Sequence, residues 1–249
     1  MMRYPILMFV ISLLVLWLAV KVGAMLSTRR QPLDDKTRSD FSVIQGAVLT
    51  LLGLIIGFSF SMAISRYDQR ENYEEEEANA IGTEYLRIDL LPPTDAEKVR
   101  GLLKQYLDQR IEYYQTRDFD RLNQNLRDTA RLQADMWSIV RSNAAAQPTP
   151  TYALVLSGMN DVLNRQGYTQ AAWWDRIPTS AWGMMASIGL AGCLLVGYGS
   201  HKRGELSIAL PVVIAIAFFL IADLDSPRRG LIHVQPQNLL SLAQSLKSP

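Results

Sequence analysis

The sequence is poor in the residues on which most enzyme and metal sites depend. It has one cysteine, Cys193, which excludes a disulfide within the chain and a zinc site built on cysteines. Its two histidines are too distant in the predicted topology to share a metal. The motifs of serine hydrolases, P-loop nucleotide-binding proteins and zinc proteases are missing. We therefore expect no catalytic residues, no cofactor and no metal site.

An excess of charge of either sign is also missing. Lysine and arginine number 25 against 24 aspartates and glutamates, and no basic face stands out, which argues against nucleic acid as a partner. The charged residues are instead segregated from the hydrophobic ones, which make up 49% of the chain. That segregation is typical of a membrane protein with one soluble portion.

Four apolar windows are candidates for membrane spans: 4–26, 41–64, 180–199 and 206–222. A helix needs roughly 20 apolar residues to cross about 30 Å of hydrocarbon. The pattern predicts an all-α, four-span protein whose partner is the lipid bilayer. For the first window a secretory signal cleaved after Ala24 is the competing interpretation, because Arg3 precedes an apolar run that ends in small residues.

The windows predict four regions. These are spans one and two (1–65), an extramembrane helical domain (66–178), a hairpin of spans three and four (179–223) and a C-terminal tail (224–249). Four spans place the helical domain and both termini on one side of the membrane. The lysines and arginines near the span ends are balanced between the two sides, so charge leaves the orientation undecided.

The helical domain shows helical periodicity throughout and no strand alternation. Apolar residues recur at steps of three and four after Glu77, so the second span is predicted to continue as one helix to the break at Pro92. The capping-box spacing of Thr94 and Glu97 predicts the next helix start. Two further helices are expected, one beginning near Asp118 and one spanning 152–164.

The second span carries a row of small residues. They follow one another at steps of four or three residues, which places them on one helical face. The row consists of Gly46, Thr50, Gly53, Gly57, Ser61 and Ser65, and Asp68 continues it. Such a stripe lets a neighbouring helix approach closely, which is the simpler interpretation. In the other interpretation, Leu54, Phe58 and Met62 on the adjoining face form stacked apolar constrictions in a ring of these helices.

Acidic residues follow directly on this span: Asp68, Glu74, Glu75, Glu76 and Glu77. Successive helical residues point about 100° apart, so the four glutamates cannot all face one way. One or two of them are candidates for an acidic collar that attracts cations to a pore mouth in a symmetric oligomer. The others are expected to pair with Arg66 or Arg70. The alternative is a solvated acidic surface.

The end of the fourth span carries the sequence "DLDSPRRG". Carboxylates at a helix C-terminus do not complement the helix dipole and therefore need partners. We expect a structural ion-pair corner formed by Asp223, Asp225, Arg228 and Arg229.

Three features together carry a resemblance to a known family. They are "LLGLIIGFSFSMAISRYDQRENYEEEEANAIGTEYLR", the helical insert between spans two and three, and the closing "DLDSPRRGLIHV". In these the chain resembles the bestrophin-like family of bacterial membrane proteins from Phe41 to Val234. A more distant similarity to the bestrophin ion channels rests on Gly57, Phe58, Tyr67, Asp68 and Arg70.

The resemblance implies a homo-oligomer, a pentamer in bestrophins, whose second span lines a pore for small inorganic ions. It implies a multi-pass protein of the bacterial inner membrane with its helical domain and termini in the cytoplasm. Leu54 and Phe58, with Met62 as a further candidate, would form the pore neck. The tryptophans that usually follow the Tyr-Asp pair in bestrophins are replaced here by Gln69, Glu71 and Asn72. Asp223 and Asp225 alone are too few to bind calcium.

Two hypotheses follow from the sequence. The first is an oligomeric ion channel that favours cations, with its pore lined by the second span. The second is a non-conducting, membrane-anchored oligomeric scaffold or sensor, in which the helical domain binds a partner and the small residues serve only packing.

Overall fold

The computed structural model describes residues 4–28, 35–199 and 208–247. Every regular element in these ranges is helical, so the all-α prediction is confirmed. The helices are α1 (Pro5–Thr28), α2 (Asp35–Arg87), α3 (Pro93–Gln115), α4 (Phe119–Ala146), α5 (Pro150–Trp174), α6 (Thr179–Gly199), α7 (Ala209–Leu224) and α8 (Gln237–Ser245). A short 3-10 turn, Ile88–Leu90, follows α2.

Three helical stretches are long and apolar enough to cross a membrane: Pro5–Thr28, Lys36–Leu90 and Pro150–Gly199, the last of which takes in α5 and α6. Helix α7 is apolar but has only 16 residues, which is shorter than a typical span. The number of spans therefore stays a prediction. The loop expected between the third and fourth spans and most of the loop expected between the first two lie outside the described residues.

Helix α2 is continuous over 53 residues and passes Arg66 without a break. No proline or glycine interrupts the sequence between Ser61 and Ile81, so nothing in it opposes the helix. The helix begins at Asp35, six residues before the apolar window that starts at Phe41, because the polar residues before Phe41 are compatible with a helix and extend it.

The described residues form two compact units. The apolar unit comprises those within Met1–Tyr67 and Arg176–His233. The polar unit comprises those within Asp68–Asp175 and Val234–Pro249. Helix α2 contributes its first part to the apolar unit and, from Asp68 onwards, its second part to the polar unit.

In the apolar unit, α1 packs against α6 and α7. The contact with α6 is close because each helix places a glycine against the backbone of the other. A Cβ added at Gly23 would overlap the carbonyl oxygen of Leu194, and one added at Gly197 would overlap that of Val20. The core around them is apolar, with Leu16, Met185, Cys193, Phe218 and Ile221 all buried.

In the polar unit, α3 packs against α4, α4 against α5, and the tail helix α8 against α3. Buried apolar residues from these helices and from α2 form the core, including Ile81, Val99, Leu103, Tyr106, Met136, Val155, Met159 and Leu239.

The helix starts in this unit were predicted with mixed success. Asp118 caps α4 as expected, since its side chain accepts hydrogen bonds from the backbone N–H groups of Asp120 and Arg121. The capping box at Thr94 is wrong: α3 begins one residue earlier at Pro93, whose fixed φ suits the first helical position. Helix α5 runs to Trp174, ten residues beyond the predicted end, because tertiary packing buries Thr169, Ala172 and Trp173.

Candidate ion path along helix α2

The membrane part of α2 presents an uncovered face within the chain. All six small residues of the predicted row are exposed, and a Cβ added at Gly46, Gly53 or Gly57 would meet no atom within 4 Å. The opposite side of the helix is covered, because Leu52 and Ala63 belong to the core of the apolar unit. None of the described helices of the chain therefore packs on the row at these glycines.

The three apolar residues of the predicted constriction are uncovered as well. Phe58 is 66% exposed, Leu54 53% and Met62 46%. Large apolar side chains usually become buried in a folded protein unless lipid or a partner covers them. This part of α2 is thus available to lipid, to further copies of the chain, or to the centre of an assembly.

The polar unit continues the pattern with different chemistry. From Asp68 the exposed residues of α2 include Asn72, Glu75, Asn79 and Thr83, at steps of four, three, four and four. The steps continue those of the small-residue row. Counting by helical steps from Asp68 would therefore have placed Asn72, Asn79 and Thr83 on the same face from the sequence alone. The face consists of small and polar side chains along its whole length.

The acidic residues of the predicted collar lie in three different environments. Asp68 and Glu75 are exposed, Glu76 is half-buried, and Glu74 and Glu77 are buried inside the polar unit. Glu76 forms an ion pair with Arg165 of α5. The sequence could not separate these cases, because the four glutamates are adjacent and their partners lie far along the chain.

Glu74 holds the C-terminal tail helix. Its carboxylate accepts a hydrogen bond from the backbone N–H of Leu239 at 2.9 Å and one from the side-chain amide of Asn238 at 2.6 Å. Pro236 precedes α8 and has no side-chain group that could cap it, so Glu74 satisfies the free N–H groups at this helix start. Burial raises the pKa of Glu74, and these hydrogen bonds partly offset the rise.

Glu77 forms a buried ion pair with Arg110 of α3, and both side chains are fully inaccessible to solvent. The carboxylate also accepts hydrogen bonds from the hydroxyls of Thr169, at 3.1 Å, and Tyr114, at 3.4 Å. The guanidinium of Arg110 lies 4.4 Å from the ring centroid of Tyr113. The arginines that pair with Glu77 and Glu76 are thus Arg110 and Arg165, and Glu74 binds the start of α8 instead of an arginine.

Arg66 and Arg70 bind elsewhere. Arg70 is buried and donates hydrogen bonds to two carbonyl oxygens at the end of α5: that of Ala172 in the last turn, at 3.1 Å, and that of Asp175 directly after it, at 3.2 Å. Arg66 lies 3.5 Å from the carboxylate of Asp225. Both arginines neutralise helix C-termini or the residues that follow them.

The predicted corner after α7 is built mainly on backbone groups. Both carboxylate oxygens of Asp223 are engaged, accepting hydrogen bonds from the N–H groups of Leu231 at 2.7 Å and Ile232 at 2.8 Å. Asp225 accepts one from the N–H of Ile177 at 3.0 Å. The chain turns back tightly here, since a Cβ at Gly230 would approach the carbonyl oxygen of Asp223 within 2.5 Å.

The two arginines of the corner were expected to pair with these carboxylates. Arg229 lies with its guanidinium 4.5 Å from the ring centroid of Tyr4. Since backbone amides already occupy both oxygens of Asp223, the observed corner depends more on backbone hydrogen bonds than the sequence suggested. The pairing of Arg228 and Arg229 with Asp225 stays a prediction.

Comparison with known proteins identifies the family of this chain. A model of the Bestrophin-like domain matches residues 6–239, nearly the whole chain. The chain belongs to the Bestrophin-like family. Membership confirms the resemblance noted in the sequence and agrees with the apolar helices of a membrane protein. A comparison with curated proteins gives no match.

Solved bestrophin structures share the fold at low sequence identity. Two variants of a bacterial bestrophin homologue from Klebsiella pneumoniae are similar to this Bestrophin-like chain. One has a TM-score of 0.68 at 14% identity, over 98% of this chain and 99% of that one. The other has a TM-score of 0.63 at 15% identity, over 95% and 99%. Similarity at this level establishes the helical architecture.

Proposed function

We propose that this protein is an oligomeric ion channel of bestrophin-like build whose pore is lined by α2. The observation that supports this most is the uncovered face of α2, on which small and polar residues follow one another from Gly46 to Thr83. One chain does not provide enough helices to surround a water-filled path. Several copies arranged about a common axis, five by analogy with bestrophins, would line such a path with this face.

The narrowest part of the path is proposed to lie at Leu54, Phe58 and Met62. Each residue would form one ring of apolar side chains, and the rings would be one helical turn apart. A narrow apolar constriction excludes water unless it widens, and this can gate a pore. Their large exposed fractions within the single chain support the proposal, because the constriction needs side chains that no other part of the subunit covers.

The acidic collar is proposed to consist of Asp68 and Glu75. Both are exposed, whereas Glu74 and Glu77 are buried with partners of their own and cannot also face an axis. In a ring of subunits each exposed position becomes a ring of carboxylates, which concentrates cations and repels anions. We therefore propose that the channel favours cations.

The same reasoning extends to the location of the protein. We propose a multi-pass protein of the bacterial inner membrane with four spans, the fourth being α7. The helical domain and both termini would lie in the cytoplasm, as the family resemblance implies.

The test is ion flux through liposomes that contain the purified oligomer. Phe58→Ala should raise flux because it removes the largest side chain of the constriction. Glu75→Gln should lower the preference for cations over anions. Leu14→Ala is the matched control, since Leu14 is also a large exposed apolar residue, at 58%, but lies on α1, and it should leave both properties unchanged.

Other outcomes would contradict the channel. A detergent-solubilised mass of one or two chains would do so at once. A larger oligomer that passes no ions would support the alternative of a membrane-anchored scaffold or sensor. Flux that neither Phe58→Ala nor Glu75→Gln alters would reject the assigned constriction and collar.

A further inference from the structure

A third glutamate of α2 is buried in the polar unit, and unlike Glu74 and Glu77 it accepts no hydrogen bond from any described residue. Glu84 is fully inaccessible to solvent, and neither of its carboxylate oxygens has a hydrogen-bond donor among the described residues. A buried carboxylate normally has such donors, because leaving its charge unpaired is costly. The polar atoms of Glu84 therefore do not stabilise the fold through hydrogen bonds.

The carboxyl group of Glu84 contacts the backbone of α5. A Cβ added at Gly158 would overlap its Oε2 atom and would lie 2.6 Å from Nη1 of Arg87. A side chain at this position would therefore have to displace the ends of both the Glu84 and the Arg87 side chains. The neighbouring residues Val155, Met159 and Val162 of α5 are buried and apolar, so they do not compensate a charge on Glu84.

Two charged groups face Glu84. Arg87, one turn further along α2, favours the ionised carboxylate, and Asp161 of α5 opposes it. Burial has the largest effect; it outweighs Arg87 and, together with Asp161, raises the pKa of Glu84 to about 8. The carboxyl group is therefore mostly neutral at pH 7, and it becomes charged as the pH rises through about 8.

We propose that Glu84 makes the contact between α2 and α5 dependent on pH. The protonated carboxyl group fits against Gly158. The ionised carboxylate is drawn away from the backbone of α5 by the guanidinium of Arg87, which lies beside it at Gly158, and this loosens α5 from α2. The contact lies on the same helix as the exposed polar face, so the packing of that helix would respond to the proton concentration.

The sign of the effect follows from linkage. The contact is closed when Glu84 lies against Gly158 and open when α5 has loosened from α2. The pKa of Glu84 is higher in the closed contact than in the open one, so the closed contact is most stable at low pH. The open fraction should rise by up to about tenfold per pH unit above the ordinary pKa of 4.5. It should level off near pH 8, where the closed form also loses its proton.

The experiment measures amide hydrogen exchange of α5 in the full-length protein across this pH range. The reference is Glu84→Gln, which is neutral at every pH and corrects for the intrinsic pH dependence of exchange. Relative to this variant, exchange in the wild type should rise with pH and level off near pH 8. A ratio that does not change with pH would overturn the proposal.

Two further measurements test the proposal even if the Glu84→Gln variant does not fold. The infrared band of a protonated carboxyl group should be present in the wild type at pH 7 and should disappear as the pH rises through about 8. Its absence at pH 7 would overturn the proposal. Arg87→Gln removes the charge that favours ionisation, so it should move the disappearance to higher pH, and an unchanged or lower pH would contradict the assigned neighbours.

Discussion

Replacing Glu77 by glutamine tests whether Glu77 stabilises the fold as part of a buried ion pair, while other acidic residues of α2 form the exposed collar. The substitution keeps the size of the side chain but leaves the buried guanidinium of Arg110 without its counter-charge. Removing one partner of a buried ion pair typically costs about 3–5 kcal/mol. A chain of this size loses roughly 2–4 °C in Tm per kcal/mol, so the expected fall is on the order of 10 °C.

The assay is thermal unfolding of the detergent-solubilised protein, followed by the loss of helical circular dichroism. Glu75→Gln is the matched control, because it makes the same chemical change at an exposed position two residues away and should alter Tm by at most about 1–2 °C. Replacing both partners, Glu77→Gln with Arg110→Met, should recover part of the lost stability because no unpaired charge remains.

The result that would refute this reasoning is equally specific. If Glu77→Gln and Glu75→Gln lower Tm by the same small amount, Glu77 is not buried against Arg110. If Glu77→Gln changes cation preference at unchanged Tm, it belongs to the collar, and the division of the acidic residues between a buried pair and an exposed ring is wrong.

Three further substitutions test other contacts. Glu74→Ala removes the acceptor at the start of α8, so it should release the tail helix and speed limited proteolysis after Val234, at a stability cost of about 1–2 kcal/mol. Gly197→Leu forces a side chain against the carbonyl of Val20, so it should separate α1 from α6 and sharply reduce the yield of folded protein. Asp223→Ala leaves two backbone N–H groups unpaired, so it should lower the free energy of unfolding by about 1–3 kcal/mol.

The long helix α2 could be predicted because its cause is local. Between Ser61 and Ile81 no residue interrupts the helix, and polar residues outside the membrane do not oppose it. The cap at Asp118 was predictable for the same reason, since a side chain and the two N–H groups it binds lie within three residues. Local chemistry also places the small residues on one face, because helical geometry alone fixes their spacing.

Whether each glutamate is buried or exposed could not be predicted, because this depends on partners that lie far along the chain. Glu77 is buried by Arg110 and Thr169, and Glu74 by a tail helix more than 160 residues away. Nothing in the run of glutamates distinguishes Glu75, which stays exposed, from its neighbours. Which face of a helix is covered is decided by tertiary packing, and only the structure of the polar unit supplies that information.

The uncovered face of α2 is the proposed lining of the ion path. The direct test is to place a cysteine at Ser61 on this face and, for comparison, at Leu14 on α1. The native Cys193 is buried and should not interfere. A charged, membrane-impermeant thiol reagent should block the current of Ser61→Cys channels in a bilayer and leave Leu14→Cys channels unaffected. Currents of Ser61→Cys that persist after complete modification would contradict the claim.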